Sequence, residues 1–301
     1  MSDTKRLIID IGTNSVLALL AKVTDGNLSV IFDKKKTTKL GEGLISSGKL
    51  SKDAIVRTID TVTMFVNDAS YDEIYLIGTE ALRAARNSDE FVKATKNAVG
   101  VETAIIDGNR EAELSFLGSL YNLNIDKSDL LLIDVGGGST ELVRGKVRKI
   151  VSSISVPIGA LKLREMSQAD SLNAYETRAQ SIIKVSIEHI QINASTIVIA
   201  TGGTIASAAT IDADLKNFDA SRIHGAIIKK DHLAQLANRF ESVSCPQRKA
   251  LIAFDPERAD IMLPGLGIYL AILGIINKDL VVVSIGGLRY GAALYPDKIW
   301  A

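Results

Sequence analysis

Residues 132–142 read Leu-Ile-Asp-Val-Gly-Gly-Gly-Ser-Thr-Glu-Leu, and residues 9–15 read Ile-Asp-Ile-Gly-Thr-Asn-Ser. In both, an apolar run ends in an aspartate, then one apolar residue, a glycine, two further residues and a serine. Asp10 and Asp134 stand 124 residues apart, about the length of one domain. Each turn is entered from a β-rich run and leads into another, which is a strand–turn–strand signature.

Working outward from the first turn, residues 7–9, 16–23 and 28–32 read as strands, and Asp25-Gly26-Asn27 has hairpin-turn chemistry. Ile55, Ile59, Val62 and Val66 recur at helical spacing, followed by a strand at 74–77, helices at 81–85 and 91–99, a strand at 101–106 and a helix at 111–120. From the second turn the pattern restarts. Strands are predicted at 129–135, 140–143 and 147–154, helices at 158–166 and 173–191, and a strand at 196–200 running into Gly202-Gly203-Thr204. Helices near 231–240 and 258–276, a strand at 280–284 and a last helix opened by Gly286-Gly287 complete the reading. Strands alternating with helices indicate an α/β fold. The repeat indicates a duplicated βββαβα unit, with domains 1–126 and 127–301 meeting near 126–129. No long linker or low-complexity segment occurs, so the halves are expected to pack together and hinge at a cleft.

Composition narrows the function. The 301-residue chain is 47% hydrophobic and 23% charged, with zero formal net charge. No global field recruits nucleic acid or a membrane, and any polyanion must meet a local patch. The single cysteine, Cys245, excludes an intramolecular disulfide and a Cys-rich zinc site. The first apolar run is broken by Asp10, too early for a signal peptide. Residues 261–276 carry no charge, but they are shorter than the roughly 20 residues a span needs. They also contain Pro264, Gly265, Gly267 and Gly274, so a pair of buried helices is expected. A soluble cytoplasmic protein follows, and surface helices offer a route to a homodimer.

An aspartate leaving a strand beside a glycine turn suits phosphate chemistry. Glycines let backbone N–H groups approach anionic oxygens, and the carboxylate can hold a divalent metal or its water shell. Taken alone, residues 10–15 read better as a plain hairpin with glycine at positive φ. Three consecutive glycines followed by Ser139, Thr140 and Glu141 are harder to explain as packing. Gly202-Gly203-Thr204 stands between a strand and a helix, where amides point outward at a helix N-terminus. A tight strand–helix turn is the competing account.

These residues resemble the exopolyphosphatase/guanosine pentaphosphate phosphohydrolase family of the actin-like ATPase superfamily. The matching segments are 9–15 (IDIGTNS), 40–44 (LGEGL), 78–87 (GTEALRAARN), 107–114 (DGNREAEL), 132–142 (LIDVGGGSTEL), 202–205 (GGTI), His224-Gly225, 258–261 (RADI) and 284–291 (SIGGLRYG). They stand in the family's order and span nearly the whole chain. The resemblance implies two actin-like (ribonuclease H-like) domains. Longer members append an all-helical HD-type domain; this chain has no His-Asp dipeptide and resembles the two-domain form.

The resemblance also implies site roles. Glu111 matches the carboxylate that acts as general base on the attacking water. On the residues alone it reads as an acid in the first turn of a helix capped by Asn109, complementing the dipole. Asp134 and Glu141 match acids placed around Mg2+, with Asp10 the corresponding carboxylate of the first turn; Glu141 is assigned to the catalytic set as well. Asn14, Ser15, Arg83 and Asn87 match phosphate contacts. So do Gly136, Gly137, Gly138, Ser139 and Thr140, together with Gly202, Gly203 and Thr204. Arg86 is a weaker match; Arg258, Asp260 and His224 match positions without an assigned role.

Two departures stand out. Many members carry a basic or histidine side chain where this chain has Leu17, and an acid where it has Arg110. Lys34, Lys35, Lys36 and Lys39 could receive a polyanion, but read better as a solvated hairpin tip. His189 and His232 lack metal-ligand spacing. The expected activity is Mg2+-dependent hydrolysis of the terminal phosphate of inorganic polyphosphate or guanosine pentaphosphate. A catalytically weak sensor of guanosine tetra- or pentaphosphate or of polyphosphate is the alternative, and an actin-like kinase a third.

Overall fold

The computed structural model describes residues 3–125, 129–146 and 149–300. By contacts the chain divides into two units, Met1–Gly118 with Leu288–Ala301, and Ser119–Gly287.

The first unit is built on β1 (Thr4–Ile11), β2 (Ser15–Thr24), β3 (Asn27–Thr37), β4 (Glu73–Gly78) and β5 (Thr103–Ile105), in the order β3-β2-β1-β4-β5. β1–β2 and β2–β3 are antiparallel, and β1–β4 and β4–β5 parallel. Leu7, Ile8 and Ile9 are all fully buried, as a central strand covered on both faces requires. Leu7, Ile9 and Ile11 pack with Val16, Ala18, Phe65 and Phe91 in one core. The helix Lys52–Asn67 starts where Ser51 accepts a hydrogen bond from Ala54 N at 3.2 Å. The β2–β3 turn has Asp25 at φ 50° and Gly26 at φ 76°, the doubly left-handed pair that a tight hairpin needs.

The second unit repeats the plan. β6 (Asp129–Val135), β7 (Thr140–Lys146), β8 (Lys149–Val156), β9 (Ile197–Thr201), β10 (Ile227–Lys229) and β11 (Leu280–Val283) lie in the order β10-β11-β9-β6-β7-β8. β6, β7 and β8 form an antiparallel meander, and β6–β9 and β9–β11 are parallel. Register makes the duplication concrete. Asp10 pairs with Leu17 and Ile77, whereas Asp134 pairs with Glu141 and Thr201. Gly12 N donates to Ser15 O at 3.1 Å and Gly136 N to Ser139 O at 3.0 Å. A Cβ on either glycine would meet that same oxygen, at 3.0 and 3.2 Å. Both turns therefore close with one geometry.

Four expectations change. Lys34, Lys35 and Lys36 lie in β3, paired with Ala18, Leu17 and Val16, not at a hairpin tip. β3 is an edge strand, where lysines discourage pairing with another chain; Lys34 also bonds Asp68 at 3.3 Å. Residues 262–275 form one buried helix, Met262–Ile275, rather than two. Pro264 sits in its first turn, where a missing N–H costs no bond, and Gly265 and Gly267 let Thr204 and Tyr175 approach. The helix carrying Glu111 is Gly108–Ser119, one turn longer at its start than periodicity indicated. Asp107 rather than Asn109 caps it, its Oδ1 accepting from Arg110 N at 2.8 Å.

The fourth concerns domain limits. Of the proposed junction at 126–129, residues 126–128 lie outside the described residues; the contacts change units at Gly118 and Ser119, and again at Gly287 and Leu288. The last helix, Leu288–Leu294, belongs with the first unit. Arg289 and Tyr290 bond Asp33, Arg6 bonds Ala293 O, and Lys298 bonds Glu113. Gly291 explains the close fit: a Cβ there would lie 2.0 Å from Leu114 O. A linear repeat cannot reveal that its final helix returns to the first half.

Candidate active site

In the first unit, residues 12–14 connect β1 to β2, and residues 38–41 buttress them. Thr38 N and Lys39 N donate to Asn14 O at 3.0 and 2.8 Å, and Gly41 N to Thr13 O at 2.9 Å. A Cβ on Gly41 would run into the Thr13 side chain at 2.3 Å, which gives the Leu-Gly-Glu-Gly-Leu segment a structural reason. Asn14 and Ser15 are buried, and Asn14 Nδ2 donates to Ser15 Oγ at 3.2 Å. Asn14 Oδ1 has no hydrogen-bond partner among the described residues. Asp10 is half-buried at the end of β1. Burial works against the charge of Arg289, yet Asp33, and more weakly Asp10, hold its guanidinium above its ordinary pKa.

Glu111, in the first turn of Gly108–Ser119, is buried. Its Oε2 accepts from Arg83 Nη1 at 2.6 Å, a charge-assisted hydrogen bond. The same guanidinium donates to Ile106 O at 2.8 Å and to Glu80 Oε2 at 3.2 Å. Arg83 thus bridges the helix Glu80–Ala84, the end of β5 and the helix carrying Glu111. Glu80 had no sequence reading of its own; its i, i+3 spacing to Arg83 was the available signal. Asn87 meets the backbone of Leu50: its Oδ1 accepts from Leu50 N at 2.8 Å and its Nδ2 donates to Leu50 O at 3.1 Å. Exposed Arg86 donates to Ser47 O at 2.8 Å, so the pair pins the 47–50 loop.

In the second unit, β6 and β7 bring Asp134 and Glu141 to directly opposed register positions at the mouth of the glycine turn. Glu141 is 1% exposed, and its Oε1 accepts from Ser155 Oγ at 2.8 Å. Ser155 was invisible in the sequence, because only the β7–β8 register places it opposite Glu141. Residues 136–140 are held from behind: Ala160 N donates to Gly136 O, Leu161 N and Lys162 N to Gly137 O, and Thr140 Oγ1 to Ile158 O at 2.6 Å. Gly159 lies so close that a Cβ would fall 2.5 Å from Gly138 N. Ser139 and Thr140 are buried, and Thr140 is engaged by the Ile158 carbonyl rather than turned to solvent.

Glycines surround the Asp134 carboxylate. A Cβ on Gly202 would lie 3.2 Å from Asp134 Oδ1, and one on Gly287 4.0 Å from Oδ2. Gly203 opens the helix Gly203–Asp212, and its missing side chain is replaced by the Arg258 guanidinium, 2.2 Å from where a Cβ would stand. Arg258 is in turn held by Asp255 at 3.0 Å. Thr204 is buried against Gly265, with no hydrogen-bond partner for its Oγ1 among the described residues. Tyr269 donates to Thr201 O; burial first, and then the Asp134 charge, push its phenol well above the ordinary range.

An all-oxygen donor set around a glycine cradle suits a hard cation such as Mg2+. Among the described residues no three His, Cys, Asp or Glu side chains group as a metal site. A cation here would rest on one or two carboxylates and complete its shell with water and phosphate oxygens, as Mg2+ commonly does. His232 bonds Asp212 at 2.8 Å and His189 is exposed. Among the described residues no helix is long and apolar enough to cross a membrane.

The model of the Ppx/GppA phosphatase family matches residues 19–295. Exopolyphosphatase 2 of Mycobacterium tuberculosis is 27% identical over 283 residues, covering 88% of each chain. The guanosine-5'-triphosphate,3'-diphosphate pyrophosphatase of Vibrio vulnificus is 26% identical over 95% of this chain and 58% of its own. The crystal structure of the Aquifex aeolicus Ppx/GppA family member superposes with a TM-score of 0.81 at 28% identity, covering 98% of both chains. An exopolyphosphatase structure from Cytophaga hutchinsonii, 21% identical over 97% of both chains, shares the fold with a TM-score of 0.87. With two sheets of one duplicated plan and a family match across nearly its whole length, the chain belongs to the Ppx/GppA phosphatase family.

Proposed function

We propose that this protein is a phosphoanhydride hydrolase that releases the terminal phosphate of inorganic polyphosphate or guanosine pentaphosphate, with Glu111 as general base toward water. The observation that carries the reading is the part-buried Arg83–Glu111 pair at 2.6 Å. A carboxylate oriented by a fixed guanidinium can take a proton from water at hydrogen-bond distance. Arg83 also matches a phosphate contact. A phosphate arriving at its fork exchanges for the Glu80 carboxylate at 3.2 Å, while Glu111 stays oriented toward the water.

Asp134 and Glu141 would hold Mg2+, whose chemistry is to neutralise charge on the phosphoryl oxygens. Ser155 orients Glu141, and Gly202 and Gly287 leave room at Asp134. The amides of residues 137, 138 and 202–204 supply donors to phosphate oxygens. Asn87 positions the 47–50 loop. The names of the relatives, an exopolyphosphatase and a guanosine pentaphosphate pyrophosphatase, support the substrate class. A cytoplasmic location and a homodimer belong to the same reading.

One observation favours a second reading, a sensor that binds without turnover. Leu17 holds the register position opposite Asp10 that Glu141 holds opposite Asp134, so the first turn has an apolar group there. A phosphate-release assay with polyphosphate, guanosine pentaphosphate and ATP, with and without Mg2+, separates the two. Mg2+-dependent release from either of the first two substrates supports the hydrolase. Tight binding of both without release supports the sensor.

A further inference from the structure

His224 closes the short helix Ala220–Ile223, and Gly225, at φ +78°, turns the chain into β10. Gly225 N donates to Val283 O and Val283 N to Ala226 O, both at 2.8 Å, so the ring is carried beside the end of β11. There its two nitrogens act in opposite senses. Ile285 N donates to Nδ1 at 3.3 Å, which requires that nitrogen to be unprotonated. Nε2 lies 2.8 Å from Tyr121 O and therefore carries the hydrogen that it donates. The neutral Nε2–H tautomer alone satisfies both. The Tyr121 ring stands 6.1 Å from the imidazole, centroid to centroid.

The two partners are informative positions. Tyr121 follows the first crossing of the chain between its units, and Ile285 precedes the second. A second bridge runs alongside: Ser284 Oγ donates to Ser119 O at 2.8 Å and accepts from Gly286 N at 3.1 Å. Thr201 Oγ1 donates to Gly286 O at 2.7 Å, and a Cβ on Gly287 would face both Thr201 and the Asp134 carboxylate. The 284–287 turn thus lies between His224 on one side and Asp134 on the other.

We infer that His224 is a positioning residue, which ties the 119–123 segment to the 284–287 turn and thereby fixes that turn beside the Asp134 carboxylate. Its kinetic consequence rests on the hydrolase reading above; the tie itself does not. The ring touches neither Asp134 nor Glu141 and acts through the Ile285 amide.

The test compares His224→Phe, which keeps an aromatic ring but no hydrogen bond, with His224→Gln, whose amide offers one donor and one acceptor. Hydrogen exchange at the Ile285 amide and steady-state phosphate release are measured on the full chain. His224→Phe is expected to speed exchange about tenfold and lower kcat about tenfold, the effect of one lost hydrogen bond, with KM nearly unchanged. His224→Gln is expected to restore both to within about threefold. Wild-type exchange and kcat in His224→Phe overturn the proposal, as does an equal loss in His224→Gln. Should the Phe variant not fold, His224→Asn, too short to reach both partners, replaces it with the same expectations. If the wild type releases no phosphate, the hydrolase reading fails while exchange at Ile285 still decides the tie.

Discussion

Replacing Gly202 by alanine probes the most constrained point beside Asp134. Gly202 has φ 101° and ψ 166°, a region almost closed to other residues. Occupying it with a Cβ costs about 1–3 kcal/mol in backbone strain. The added carbon also falls 2.7 Å from Val135 O, backbone of the adjacent β6, which cannot swing aside. Overpacking of that kind adds about 1–3 kcal/mol, for about 2–6 kcal/mol in all. Against a total stability of about 5–15 kcal/mol, the loss is large. At a urea dependence of about 3 kcal/mol/M the midpoint drops by about 1–2 M. Two neighbours serve as controls. Gly203→Ala meets only the end of the flexible Arg258 side chain, and Gly287→Ala makes ordinary contacts no closer than 3.5 Å. Both are expected to unfold within about 1.5 kcal/mol of the wild type. Gly287→Ala still carries a methyl to within 4.0 Å of Asp134 Oδ2, so its phosphate release should fall while its stability holds. A Gly202→Ala midpoint equal to wild type refutes the argument from backbone geometry.

Two further outcomes follow from the site. Arg83→Ala leaves Glu111 without its guanidinium; with the side chains 18% and 12% exposed, the cost is expected toward the low end of buried-pair losses, about 2–3 kcal/mol by urea unfolding. Burial pushes His224 below its ordinary 6.5, and the Tyr121 carbonyl, which pulls it up, does not reverse that. The unfolded chain therefore takes a proton at a pH where the folded chain does not. The stability contributed by the neutral ring is complete above about pH 6.5 and is lost as pH falls from there through the lower folded value. The groups bonded to the ring are the Tyr121 carbonyl and the Ile285 amide, with the Tyr121 ring beside it. Urea midpoints at about pH 7.5 and 5.5 should differ more in the wild type than in His224→Gln.

Much of this architecture was legible because a strand, an aspartate and a glycine turn recur at 9–15 and 132–142, and register reproduces the match down to the closing hydrogen bond of each turn. Helices with strong periodicity, such as Lys52–Asn67, were legible for the same local reason. What escaped was non-local. The edge position of Lys34–Lys36 depends on a long β2–β3 ladder that composition does not announce. Met262–Ile275 is apolar on every side, so periodicity had nothing to report there. Glu111 and Arg83 were readable as single residues, but their pairing needed the folded chain, as did the pairing of Ser155 with Glu141. Asn87 shows the converse, a motif residue whose polar atoms serve a loop.

The central claim, that Glu111 takes the proton of the attacking water, is tested most directly by single-turnover phosphate release from polyphosphate by Glu111→Gln, with polyphosphate binding measured in the same preparation. Removing a general base is expected to slow the chemical step by about 10²–10⁴-fold while the variant still binds the polymer. Release at the wild-type rate, with binding intact, contradicts that role.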